Sequence, residues 1–139
     1  MDLEAYSGAA ANKFGQVWVI AGPIFDNKAS PRVMGHSNTI PVAVPDAVFK
    51  ILIKEKEGAK VPDVLAFIYK QPSDDYVMCS KAESEGHTYD HTKFLVSVAD
   101  IEQKTGLKFL RNVKFKNAEK RQDFKTAKAT ALWPVGEDF

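Results

Sequence analysis

Two groups of side chains in this sequence could do chemistry, an imidazole pair and a block of cations. "HTYDH", residues 87–91, sets His87 and His91 four positions apart with Asp90 between them, and Cys79 lies a little upstream. On a helix that spacing would put both imidazoles on one face, as zinc ligands require. Gly86 and Thr88 place the pair in a loop instead, and no second Cys or third His stands at a matching spacing. The histidines therefore read as surface residues. Cys79 with His87 as a nucleophile pair lacks a third group to orient the base.

The cations are more concentrated. Residues 104–128 hold nine basic side chains, among them Lys114, Lys116, Lys120, Arg121 and Lys125, against the two acids Glu119 and Asp123. That stretch carries +7 and the rest of the chain −6, a split hidden by the overall +1. Such a block can attract the phosphates of a nucleic acid; the alternative is an ordinary solvated surface. Phe124 and Trp133 can stack on bases or, as the better reading, pack the last helix onto a sheet.

The elements that must position these groups are legible from periodicity and punctuation. "LEAYSGAAANKF" puts Leu3, Tyr6, Ala10 and Phe14 on one helical face and is stopped by Gly15. "VWVIAG" is apolar at almost every position and reads as a strand covered on both faces. "AVFKILIKEK" and "DVLAFIYKQ", joined through a turn at Gly58, predict an antiparallel hairpin. Pro72 to Thr92 reads as a polar surface loop with a short strand at "YVMCS". Ser97 and Asp100 predict a capped helix closed by Gly106, and Asn117 caps a last helix expected to reach Ala131 before Pro134 forbids continuation. The fold class is α+β, an antiparallel sheet flanked by helices in one domain over residues 1–139.

At 139 residues, 45% hydrophobic, with nine Phe, four Tyr and two Trp, the chain can bury one core. No apolar run approaches the roughly 18 residues that span a bilayer, so no membrane role is expected. The first fifteen residues lack a basic start and a continuous apolar stretch, unlike a secretory signal. The lone Cys79 forms no internal disulfide and leaves the compartment open.

"VWVIAGPIF", "IPVAVPDAVFKILI", "VLAFIYKQ" and "FLVSVADIEQKTGLKFL", in that order, resemble the second half of the DNA/RNA non-specific endonucleases, the endonuclease G and Serratia-type nuclease family. The last pattern matches at Ser97, Val98, Ile101, Glu102, Thr105, Gly106, Leu107 and Phe109. The resemblance implies a His-Me finger nuclease-like fold and Mg²⁺-dependent hydrolysis of DNA or RNA without sequence preference. In the family a strand with Asp-Arg-Gly-His supplies the base and a helix supplies a metal-binding Asn, together a ββα-metal finger. Neither pattern occurs here, and none of His36, His87 and His91 follows Arg-Gly.

The resemblance aligns Glu4, in "DLEAY", with the glutamate of the family's Leu-Glu pair and makes it the candidate catalytic residue, although Gly8 stands where the family often has Arg. Lys50 is a candidate for facing nucleic acid from the sheet, with a solvated strand position as the alternative. Hydrolysis of a phosphodiester needs a base and a cation, and one Glu supplies a single ligand group toward six positions. The expectation is the C-terminal part of a nuclease domain, without its N-terminal half. No metal is expected for this chain alone, and it is expected to be inactive by itself. Nucleic acid and an N-terminal nuclease half or a second copy are the expected partners. The competing expectation is a non-catalytic remnant that binds nucleic acid or a partner protein.

Overall fold

A computed structural model describes residues 2–26, 31–71 and 90–136. The Asp2 side chain accepts from the Ala5 N–H at 2.7 Å and starts helix α1 (Leu3–Phe14). Gly15 ends it with φ +85°, a conformation that penalises any side chain. Three strands follow the order β1 (Trp18–Ile24), β4 (Ala47–Lys54), β5 (Asp63–Lys70), with the short β6 (Leu95–Val96) completing an antiparallel sheet β1-β4-β5-β6. Between β1 and β4 a two-stranded ribbon, β2 (Val33–Met34) with β3 (Val42–Ala43), exposes Val33, Met34, Ile40 and Val42.

The alternation of the central hairpin sorts side chains onto two faces. Phe49, Ile51 and Ile53 lie opposite Ile68, Ala66 and Val64, and this face is covered by Val98 and Ile101 of helix α2 (Val98–Thr105) and by Phe109. On the other face Leu52, Leu65 and Phe67 meet Tyr6 and Ala10 of α1 and Trp133 of the C-terminal arm. α2 is a complete capping box: Ser97 Oγ accepts from the Asp100 N–H, and the Asp100 carboxylate accepts from the Ser97 N–H. Gly106 closes it in the left-handed region at φ +73°.

Three expectations differ from what forms. β1 is an edge strand rather than one covered on both faces. Trp18 and Val19 are exposed, and among the described residues β1 pairs with β4 alone. Helix α3 (Ala118–Thr126) is capped by Asn117 as expected but stops short of Ala131. Ala127 turns extended, so that Lys128 bridges to Ser97 and the arm can cross the sheet to α1. There Trp133 O accepts from Tyr6 Oη at 3.0 Å, and the Trp133 ring meets Phe14 edge-on. Finally, a 3₁₀ turn (His91–Phe94) begins inside the stretch read as loop, and β6 follows it where no strand was expected. The strand expected at "YVMCS" lies outside the described residues.

Candidate functional site

Glu4 sits in the first turn of α1, where a carboxylate complements the positive end of the helix. It meets Lys50, from the middle of β4, with Lys50 Nζ donating to Glu4 Oε1 at 2.6 Å. The pair is asymmetric: the lysine side chain is 8% exposed and the glutamate 86%. Both line an open groove of about 430 Å³ whose other walls include Leu3, Ala21, Pro23, Val48 and Tyr69. Lys50 is thus not a solvated strand position: it is buried, with its ammonium on Glu4 at the groove. Its neighbours on the same strand, Phe49 and Ile51 to Ile53, are buried. That unbroken apolar setting was the sequence signal for an inward lysine.

The basic block divides in the same way. Lys114, Lys116 and Lys120 are exposed, as are Lys108 and Arg111. Arg121 is half-buried; its guanidinium lies over the Phe115 ring and donates to Val113 O at 3.2 Å. Phe115 in turn packs against Phe124, so this aromatic is a packing residue rather than an open stacking platform. Lys125 must be taken out of the candidate contacts. It is 7% exposed, and its ammonium donates to the Glu102 carboxylate and to Phe109 O at 2.6 Å. Glu102 also accepts from the Phe109 N–H at 2.8 Å. Burial alone would raise the Glu102 carboxyl, but Lys125, the Phe109 N–H and Lys108 outweigh it and hold the carboxyl below its ordinary range.

Of the imidazole group, Cys79 and His87 lie outside the described residues. His91 is buried, not a surface residue, and its Nδ1 is 2.8 Å from Tyr69 Oη. Asp90 caps the 3₁₀ turn, accepting from the Thr92 N–H. Among the described residues no three His, Cys, Asp or Glu side chains gather to hold a metal ion. Glu4, with one oxygen already bonded to an ammonium, does not make a divalent-cation site by itself.

An antiparallel sheet with a carboxylate-bearing helix on one face and capped helices beside it is consistent with a ββα-metal nuclease-like fold. The chain belongs to the DNA/RNA non-specific endonuclease family, whose model matches residues 1–116. Mitochondrial endonuclease G of Bos taurus is 31% identical over 120 residues, 81% of this chain and 35% of that protein. The Homo sapiens endonuclease G is 28% identical over the same shares, and the human mitochondrial nuclease EXOG is 27% identical over 77% of this chain and 28% of its own length. The chain spans about a third of the curated relatives it matches. α3 and the arm lie beyond the residues matched by the family model.

Proposed function

We propose that this chain is the Glu4-bearing part of a metal-dependent endonuclease that hydrolyses DNA or RNA without sequence preference. The observation that carries the reading is an exposed Glu4 carboxylate at a groove, on the helix that the resemblance aligns with the family's Leu-Glu pair. The base and the metal-binding Asn of that pattern would come from a separate nuclease segment, since no Asp-Arg-Gly-His run occurs in residues 1–139. A divalent ion such as Mg²⁺ would stabilise charge on the phosphate when bound; the described residues do not fit it alone, so no step is assigned through it. The chain's own share of the work is to supply a carboxylate beside the scissile phosphate and cations along the rest of the strand.

The test is plasmid DNA and RNA cleavage. The chain alone, with Mg²⁺ or Mn²⁺, is expected to leave both intact. Joined to a segment carrying Asp-Arg-Gly-His and the Asn, it is expected to cleave both, and Glu4→Gln should then lower the rate at least tenfold. Metal-dependent cleavage by the chain alone, abolished by a substitution within it, would overturn the proposal. Salt-sensitive binding without cleavage in the joined form would favour a non-catalytic nucleic-acid binder.

A further inference from the structure

We infer that Lys50 is a positioning residue for Glu4, fixing the direction of its carboxylate at the groove. The consequence for catalysis rests on the nuclease reading above; the geometry does not. Lys50 stands between Ala21 of β1 and Phe67 of β5 in the sheet register, where most side chains are apolar. An ammonium buried there needs an anion, because leaving water without one costs far more than a hydrogen bond returns. Among the described residues its one hydrogen-bond acceptor is Glu4 Oε1. The glutamate has no such need. At 86% exposure it could be served by water and sample many rotamers.

The arrangement therefore acts in one direction. A rigid strand holds the cation, and the cation selects one rotamer of a mobile side chain on a different element. One carboxylate oxygen is committed to Lys50, and the other has no partner among the described residues. A carboxylate so divided is preorganised to offer a single oxygen to whatever occupies the groove. A direct phosphate contact by Lys50 would have to reach a side chain that is 8% exposed, whereas Glu4 stands open beside it.

The asymmetry gives a test on the 139-residue chain. NMR should detect a slowly exchanging Lys50 ammonium with scalar coupling to the Glu4 carboxyl carbon, lost in Glu4→Gln. Glu4→Gln strands the buried cation and should lower Tm by about 5 °C. Lys50→Met replaces the cation with an apolar side chain, leaves an exposed carboxylate to water, and should change Tm by less than about 2 °C. Equal losses in both variants would make the pair scaffold and overturn the inference. In the joined, active nuclease Lys50→Met should lower kcat by about 10- to 100-fold at unchanged KM. A raised KM with kcat intact would instead make Lys50 a substrate contact and overturn it. If the joined wild-type protein is inactive, the nuclease reading fails, and the coupling and Tm pattern still decide positioning, absence of the coupling counting against it.

Discussion

Glu102 occupies a position where an apolar residue would continue the buried face of α2 between Val98 and the Phe109 turn. It is tolerated there because Lys125, the Phe109 N–H and Lys108 Nζ at 3.6 Å answer its charge. Removing Lys125 as Lys125→Met leaves that charge short of its nearest partner and should cost about 3 kcal/mol at pH 7 in urea unfolding. The folded carboxyl is depressed, so its stabilisation is complete above the unfolded value of about 4.3 and is lost as pH falls through the folded one. The cost of Lys125→Met should therefore shrink between pH 7 and pH 3. The same cost at both would mean that packing of the lysine stem, and not the charge, sets its value.

At the scale of elements, the seating of α1 decides where Glu4 lies, and the packing inside the sheet can be probed separately from it. Tyr6 is buried under the arm and its phenol is pushed up to about 12, first by burial, with Trp133 O opposing and Asp63 adding to the rise. Its folded pKa exceeds the unfolded value near 10, so its contribution is whole below about pH 10 and is lost as pH climbs from there toward 12. Tyr6→Phe should cost about 1 to 2 kcal/mol at neutral pH by orphaning Trp133 O, and should blunt the alkaline loss of stability. An unchanged alkaline midpoint would remove Tyr6 from that transition. In β1, a Cβ at Gly22 would come within 2.9 Å of the Phe49 ring, so Gly22→Ala should cost about 1 to 3 kcal/mol by thermal unfolding. A neutral Gly22→Ala would mean that the ring yields freely.

Both results bear on what the sequence could convey. α1, the central hairpin and the α2 caps were legible because each is written locally, in spacing or in a capping pair. The exposure of β1 was not, since an apolar run is the same whether or not a neighbour covers it. The early end of α3 was decided by a distant bridge from Lys128 to Ser97. For the site, Glu4 followed from a family pattern, whereas the burial of Lys50 and Lys125 depended on which face each lysine met.

Across the whole molecule, charge is sorted between functions that composition alone merges. The basic block is not one continuous contact surface: Lys125 is drawn inward, Arg121 is held over an aromatic ring, and Lys104 Nζ lies 3.6 Å from Asp26. Still toward solvent are Lys104, Lys108, Arg111, Lys114, Lys116, Lys120 and Lys128, of which the five from Lys108 to Lys120 lie on the turn from α2 to α3 and the start of α3. Lys114, Lys116 and Lys120 are exposed, and the Lys120–Asp123 pair at 3.7 Å lies at the surface, so charge reversal at these three should leave folding intact. The triple substitution Lys114→Glu, Lys116→Glu and Lys120→Glu is expected to weaken duplex DNA binding equally for unrelated sequences. Each phosphate contact contributes a slope of about −0.9 in log affinity against log salt, so the variant's slope should be shallower by about 2 to 3. Titrations of fluorescent duplexes at several salt concentrations measure it directly. If affinity and slope are unchanged while Tm is also unchanged, the exposed cations are solvated surface, and contact with nucleic acid belongs elsewhere on the chain.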